Sequence, residues 1–137
     1  MKHYVLDACA LVAILKDEPG AENVAAALNA AYKGNATISM HRLNLLEVYY
    51  DTYRVIGKEQ AEIMVSEFLK QPISINAEIN DEIFVEAGRL KATYKISLAD
   101  SVALAEAVVS GGILLSSDHH EFDTIEKSEN IRIEWIR

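Results

Sequence analysis

Short apolar runs alternate along this chain with longer stretches in which apolar residues recur every three or four positions. Such runs are typical of buried strands, and such stretches are typical of amphipathic helices. The runs predict strands over residues 4–6, 37–39, 73–75, 113–116 and 131–136. The periodic stretches predict helices over residues 8–15, 21–33, 43–55, 58–71, 81–94 and 97–110.

The alternation of strands and helices predicts an α/β fold. We expect a three-layer α/β/α sandwich with a short, mainly parallel central sheet, because short apolar strands joined by helices are buried on both faces. The 137 residues fit a single domain over residues 1–137. In such sheets, ligands bind beyond the carboxyl ends of the strands. Asp7 and Asp118 each follow a predicted strand, so we expect both at this edge.

Three aspartates each have a purely structural explanation. Asp7 can cap the helix that follows it, a role that contributes ~1 kcal/mol. Ser97 and Asp100 have the spacing of a capping box, and Asp118 can be a turn or cap residue. The helix that carries Asp100 is nonetheless apolar on nearly every side. This pattern predicts a buried helix whose acid faces a polar interior or a cleft.

Glu47 lies in the middle of a predicted helix, where no capping role explains it. It borders a stripe formed by Leu43, Leu46, Tyr50 and Tyr53 at helical spacing. Burying a carboxylate without a partner is costly or forces its protonation. The alternatives are therefore a functional carboxylate and a glutamate on the exposed edge of the helix.

Taken together, Asp7, Glu47, Asp100 and Asp118 favour a metal centre. Carboxylates at two strand ends and on two helices of the same sandwich can meet at one point, where they repel one another and raise one another's pKa values. Divalent cations relieve that repulsion, and oxygen-only ligands suit Mg²⁺ and Mn²⁺. Such an ion can activate water and clamp a phosphodiester, so the acids predict a metal-dependent nuclease.

The charge balance is unusual for a protein that binds nucleic acid, because phosphate binding draws on Lys and Arg. Thirteen basic and twenty-one acidic residues give a formal charge of −8. Two explanations are open: a solvated acidic surface, or acids that converge and hold cations. Glycine loops of the Walker or dinucleotide-binding type are absent from the sequence.

The single cysteine, Cys9, excludes an internal disulfide and favours a reducing, cytoplasmic location. An acid at position 7 comes too early for a signal peptide. The longest apolar run, over residues 8–15, is far shorter than the ~20 residues that span a bilayer. We therefore expect no membrane association.

The sequence resembles PIN-domain proteins, and specifically the VapC-type toxin ribonucleases of toxin–antitoxin pairs. Four segments carry the resemblance, in order: YVLDACAL (4–11), LEV (46–48), SLADSVALA (97–105) and LLSSDHHEF (114–122). The last predicted strand, with Trp135, also fits the family. The resemblance extends over essentially the whole chain.

This resemblance implies an endoribonuclease that depends on Mg²⁺ or Mn²⁺ and attacks RNA phosphates with metal-activated water. Asp7, Glu47, Asp100 and Asp118 would hold the metal, directly or through water. A small antitoxin protein that covers the acidic pocket and a homodimeric assembly are also implied. Cys9 is a departure, since the family commonly has Ser or Thr at that position.

Several residues are candidates for supporting roles. Cys9, Ser116, Ser117 and Asp123 are predicted beside the metal ligands. Arg42, Arg89, Lys91 and Lys95 are predicted to contact RNA phosphates, with solvated helix faces as the alternative. For His119 and His120 we favour an exposed turn over a zinc site. For Tyr49, Tyr50 and Tyr53 we favour core or interface positions over base stacking.

Two alternatives to a toxin ribonuclease remain at this stage. One is a module of the same fold that binds a partner without catalysis, with the acids acting only as helix caps. The other is an RNA-processing PIN nuclease outside a toxin–antitoxin pair. Loss of metal binding would favour the first, because a metal that binds only the folded state stabilises it.

Overall fold

A computed structural model describes all residues, Met1–Arg137. Its strands are β1 (Lys2–Leu6), β2 (Ala36–His41), β3 (Ser74–Asn76), β4 (Ile113–Ser116) and β5 (Arg132–Trp135). Its helices are α1 (Ala8–Leu15), α2 (Ala21–Tyr32), α3 (Arg42–Ile56), α4 (Lys58–Leu69), α5 (Asp81–Thr93), α6 (Leu98–Ser110) and α7 (His119–Ser128). None of these helices combines the length and apolar character needed to cross a bilayer.

The five strands form one sheet in the order β3-β2-β1-β4-β5. Every neighbouring pair is parallel, so the predicted α/β fold is confirmed and the sheet is parallel throughout. The strand order reverses between β1 and β4, where Leu6 lies opposite Leu115. A crevice opens at such a reversal, beyond the carboxyl ends of the two strands, and ligands commonly bind there.

Alternating side chains of the central strands enter two separate cores. Val5 and Leu114 join a core of ten buried residues with α5, α6 and α7. Leu6 and Leu115 point the other way, into a core of thirteen buried residues with α1, α2, α3 and α4. Because successive strand residues face opposite sides, these two pairs fix the orientation of both strands. The result is the predicted three-layer arrangement.

Helix α7 is the one element that the sequence pattern did not predict. We expected a turn at His119 and His120, but these are the first two residues of the helix, and their side chains are exposed as anticipated. Only Phe122 and Ile125 of this helix are buried. Two apolar positions, one turn apart, leave too short a stripe to reveal a helix by periodicity.

The expected apolar stripe of α3 does not face the core, apart from Leu43, which packs partly buried against a small cluster of α5 and α6. Leu46, Tyr50 and Tyr53 are all exposed. Leu45 and Val48 are buried instead and belong to the larger core. The helix is therefore rotated relative to the predicted orientation, because its contacts with the sheet and α1 are made by the Leu45–Val48 face. A core position for Tyr50 and Tyr53 is wrong, whereas an interface role stays a prediction.

Candidate metal centre

Asp7 lies at the point where β1 ends and α1 begins. Its Oδ1 accepts a hydrogen bond from the backbone N–H of Ala10 at 2.8 Å, which makes it the N-cap of α1. Its side chain is almost completely buried, and Oδ2 has no hydrogen-bond partner. Capping therefore uses only one of the two carboxylate oxygens.

Burial raises the pKa of Asp7 to about 7. The amide of Ala10 and the nearby hydroxyl of Ser116 act in the opposite direction, although the hydroxyl does not form a well-directed bond to Oδ2. The charges of Asp100 and Asp118 raise the pKa further. Near neutral pH the buried carboxyl group is thus divided between its protonated and ionised forms.

Asp100 lies in the first turn of α6, where Ser97 is the N-cap. The Ser97 Oγ accepts the backbone N–H of Asp100 at 3.0 Å, so the predicted capping spacing is confirmed. Burial raises the pKa of the Asp100 carboxyl group to about 6, Ser97 opposes this, and Asp118, Glu47 and Glu121 add repulsion. The carboxylate is therefore close to the acids of α3 and α7.

Asp118 follows β4 and caps α7, accepting the backbone N–H of Glu121 at 3.2 Å. Its own backbone N–H donates to the Oγ of the buried Ser116 at 3.0 Å. Ser116 thus holds the backbone at the start of α7 while its hydroxyl also lies near Asp7. The predicted cap role of Asp118 is confirmed, and so is its expected position at the edge it shares with Asp7.

Glu47 is half-buried in the middle of α3. Burial raises its pKa, and the charges of Asp51 and Asp118 raise it further. Glu47 is therefore within electrostatic range of Asp118, and Asp100 is within range of both. The four predicted carboxylates therefore converge on the carboxyl ends of β1 and β4.

This cluster suits a hard divalent cation for two reasons. All four donors are carboxylates, which Mg²⁺ and Mn²⁺ prefer. In addition, the buried Oδ2 of Asp7 lacks any partner, and such groups normally have one. No three His, Cys, Asp or Glu side chains are close enough to coordinate a single ion as they stand. Binding would therefore require the carboxylates to turn towards the ion.

The Cys9 side chain lies among the same charges, in the first turn of α1. Burial raises the pKa of its thiol to about 12, with further contributions from Asp7, Asp118, Asp100 and Glu47. A thiolate is the reactive form of cysteine. Cys9 is therefore protonated at physiological pH and is unsuited to act as a nucleophile.

A cleft of about 320 Å³ opens at Glu47, between α1 and α3, and the other three predicted acids do not line it. Its lining includes three residues predicted for the site, Glu47, Cys9 and Ser117, and four that were not: Glu18, Tyr50, Asp51 and Arg137. Tyr50 and Asp51 lie three and four positions after Glu47. That spacing places them on the same helix face and was a usable signal. Nothing local in the sequence points to Glu18 or Arg137.

The remaining predicted residues lie elsewhere. Asp123 is exposed on α7, with Oδ1 2.8 Å from His119 Nδ1. The guanidinium of Arg89 contacts Glu129 at 2.7 Å, and the Lys91 ammonium donates to the carbonyl of Ile96 at 2.8 Å. Arg42 lines a groove between α3 and α4, and Lys95 is exposed. None of the four cations lines the cleft, and their contact with RNA stays a prediction.

Two buried polar side chains with unpartnered atoms were missed. Asn44 lies one turn before Glu47 on α3, and neither atom of its amide group has a partner. Glu106 on α6 is buried with Oε2 unpartnered; burial raises its pKa, against the effects of Asn76 and His41. An acid within a largely apolar helix is the signal that singled out Asp100, and it applies equally to Glu106.

The sequence profile of the PIN domain matches residues 4–128. No curated protein matches the chain.

Solved structures show the same fold. VapBC2 of Rickettsia felis, solved with a DNA fragment from its promoter, matches with a TM-score of 0.76 and 19% identity over 97% of this chain and 98% of that one. The DNA-bound VapBC of Salmonella typhimurium matches with a TM-score of 0.73 and 15% identity over 100% of both chains. VapC20 of Mycobacterium tuberculosis, described as a toxin that cleaves the sarcin-ricin loop, gives 0.67 and 10% over 88% and 94%. At such identities the likeness concerns the fold.

Proposed function

Because this chain belongs to the PIN domain family, we propose that it is a Mg²⁺- or Mn²⁺-dependent endoribonuclease and the toxin of a type II toxin–antitoxin pair. The observation that carries this proposal is the unpartnered Oδ2 of Asp7, buried within electrostatic range of Asp100 and Asp118. A purely structural cap uses one side-chain oxygen and gives no reason to bury a second one without a partner. A metal ligand requires an oxygen that the cap does not already use.

In the proposed centre, the carboxylates of Asp7, Glu47, Asp100 and Asp118 would hold the cation directly or through water. A bound cation would supply activation of water and stabilisation of charge on the attacked phosphate. The raised pKa values of Asp7 and Asp100 mean that these groups are protonated in part in mildly acidic to neutral solution without a cation. They would have to lose these protons to hold one, because ligating carboxylates must be ionised. The Ser116 hydroxyl oxygen keeps Asp118 in position by accepting a hydrogen bond from the backbone N–H of Asp118.

The role as a toxin is supported by the similarity in fold to VapBC proteins over nearly the full length of both chains. On this basis the partners are an RNA substrate, a small cognate antitoxin and a second copy of the chain, in the cytoplasm. An apolar groove between α3 and α4, with exposed Leu46 and Leu69, supports a protein partner. Exposed apolar patches of this kind commonly mark interaction sites.

The test is RNA cleavage by purified protein, stripped of metal and supplied with Mn²⁺ or Mg²⁺. We expect cleavage only with metal, and none by Asp100→Asn at equal concentration. Equal activity of the wild type and the variant would point to a contaminating nuclease and contradict the proposal. Induced expression that arrests growth in wild type but not in Asp100→Asn would support the toxin role. Cleavage without arrest would favour an RNA-processing nuclease.

A non-catalytic partner-binding module is the second candidate. It is favoured by the caps that Asp7 and Asp118 both form, and by the absence of a preformed arrangement of three ligands. This candidate predicts that metal ions leave the melting temperature unchanged. The nuclease predicts a rise that depends on Asp7.

A further inference from the structure

Arg137 is the only cation that lines the cleft. The other charged residues of the lining are Glu18, Glu47 and Asp51. Arg54 forms an ion pair with Asp51 but does not line the cleft. A phosphate that approaches Glu47 therefore meets three carboxylates and a single guanidinium. Any attraction supplied by the protein itself at this place depends on Arg137.

The backbone around Arg137 is fixed next to the acidic cluster. The N–H of Ile136 donates to the carbonyl of Ser116 at 3.0 Å, and the carbonyl of Arg137 accepts from His119 Nε2 at 2.9 Å. Ser116 and His119 flank the loop that carries Asp118. The backbone at residues 136 and 137 is thus hydrogen-bonded to the carboxyl end of β4 and the start of α7. The proposed metal ligand Asp118 lies between these two points.

The guanidinium of Arg137 is held much more loosely. Its Nη1 lies 3.3 Å from the carbonyl of Pro19 and 3.9 Å from Oε1 of Glu18, and the side chain is 42% exposed. A guanidinium has five N–H donors in a planar fork that matches phosphate oxygens. Most of those donors are unused here. The group combines a fixed base with free donors, as a phosphate-binding arginine requires.

Tyr50 lines the same cleft, one helical turn beyond Glu47. Its side chain is 54% exposed, and it takes no part in the edge-to-face contact between Tyr49 and Tyr53. An exposed aromatic ring and a cation that line the same cleft are the combination with which proteins bind single strands, by stacking a base and neutralising a phosphate. The volume of about 320 Å³ is at the small end for ligand sites and suits one unpaired nucleotide.

We propose that Arg137 and Tyr50 are the substrate-contact pair of this cleft, with Arg137 on an RNA phosphate and Tyr50 stacked on a neighbouring unpaired base. This assignment rests on the proposed ribonuclease function and names the residues that grip its substrate. Bases inside a duplex are stacked on one another, so the pair also favours unpaired RNA over the same sequence in a duplex.

The test measures binding of a fluorescent oligoadenylate RNA of about twelve nucleotides, long enough for the sites that such proteins cover. All variants are made in the Asp100→Asn background with Mn²⁺ present. Arg137→Gln is expected to weaken binding about 10-fold or more, as for a hydrogen bond to a charged group. It should also reduce the slope of log affinity against log salt by about 0.7, the value for one phosphate contact on a single strand.

Tyr50→Ala is expected to weaken binding about 5- to 100-fold without changing the salt slope, because stacking releases no counterions. Tyr50→Trp should restore it. The matched controls are Arg132→Gln, an exposed arginine at the opposite edge of the sheet, and Tyr32→Ala, an exposed tyrosine of α2. Neither control should alter affinity.

Three outcomes would overturn the assignment. The first is unchanged affinity and salt slope in Arg137→Gln. The second is a lower melting temperature of this variant with an unchanged salt slope, which would show that Arg137 only stabilises the loop at Pro19. Equal binding by Tyr50→Ala and its parent would remove the stacking role. Each of these results leaves the ribonuclease standing if the wild type still cleaves RNA with metal. A wild type that neither binds nor cleaves RNA would refute both proposals.

Discussion

Asp7 and Asp118 have the same capping role after two adjacent parallel strands, Asp7 directly after β1 and Asp118 two residues after β4. Each follows the end of its strand, and each accepts the backbone N–H of the residue three positions later, from Ala10 at 2.8 Å and from Glu121 at 3.2 Å. The two caps hold both carboxylates at the point where the strand order reverses. Capping and metal binding are thus compatible, because the cap orients the side chain through one carboxylate oxygen and leaves the other oxygen available to a cation.

Asp100→Asn should abolish metal-dependent RNA cleavage and leave the fold intact. The cap of α6 uses the backbone N–H of residue 100, so the substitution keeps it. We expect activity to fall by more than the roughly 10- to 100-fold typical of residues that only support a ligand. The matched control is Asp81→Asn, which removes an exposed acid from the first turn of α5. Comparable losses in both variants would contradict a specific role for Asp100.

Without metal, the free energy of unfolding should fall as the pH rises from about 4 to about 7. The pKa of Asp7 is about 7 in the folded protein against an ordinary value of 3.8, and that of Asp100 is about 6. The folded state therefore binds more protons than the unfolded state in this range, and stability declines with pH.

In Asp7→Asn this decline should be smaller, because the amide stays neutral and can still accept the N–H of Ala10. Urea unfolding with a chelator at pH 5, 6, 7 and 8 measures it. Asp81→Asn serves as the control and should follow the wild type. Parallel curves for the wild type and Asp7→Asn would show that the Asp7 carboxyl group titrates normally.

Saturating Mn²⁺ or Mg²⁺ should raise the melting temperature of the wild type. A ligand at 100 times its dissociation constant adds about 2.7 kcal/mol, a shift of several degrees for a domain of this size. The shift should grow between pH 6 and 8, as Asp7 and Asp100 lose the protons that compete with the ion. Asp7→Asn should show little shift. A wild type that melts identically with metal and with chelator would instead favour the non-catalytic module.

Cys9→Ser should cleave RNA as well as the wild type or better. A protonated thiol contributes no nucleophile, and a hydroxyl is the stronger hydrogen-bond partner. Cleavage rates under saturating metal, compared with those of Cys9→Ala, separate a polar role from simple space filling. A large loss of activity in Cys9→Ser would show that the thiol has a function that the geometry does not suggest.

Glu106→Gln should stabilise the protein at pH 8, by about 1 kcal/mol. The carboxylate is buried with one oxygen unpartnered, and a neutral amide of similar shape avoids the cost of burying a charge. The gain should shrink at pH 5, because burial raises the pKa of Glu106 and the acid is then already protonated in part. Thermal melts at both pH values, with exposed Glu134→Gln as control, measure it. Destabilisation at pH 8 would show that His41 and Asn76 satisfy the ionised group.

The fold was predictable because the central strands β1, β2 and β4 are largely buried and appear in the sequence as short apolar runs. All five strands and six of the seven helices were predicted, and their ends lie within two residues of the predicted ends. Helix α7 was not predicted because only Phe122 and Ile125 attach it to the core. The spacing of Asp118 and Glu121 resembles a capping box and was its one local signature.

The acids of the site were predictable because their positions follow from local rules, two at strand ends and two on helices that pack on the sheet. The walls of the cleft were not. Arg137 and Glu18 are 119 positions apart, and only the folded chain brings them together. The orientation of α3 was also beyond reach, since Leu45 and Leu46 are equally apolar and only packing decides which of them is buried.

The alternation of Val5 and Leu6 between two cores also fixes the position of Asp7, which directly follows them. One residue inserted into β1 would shift the downstream chain by about 3.3 Å and exchange its two faces. Either the cores would mispack, or Asp7 would leave the edge it shares with Asp118. Insertions at the exposed turn around Gly34 leave the packing of β1 and the position of Asp7 unchanged. Tolerance to length change should therefore differ sharply between these two places, although neither insertion alters a single carboxylate.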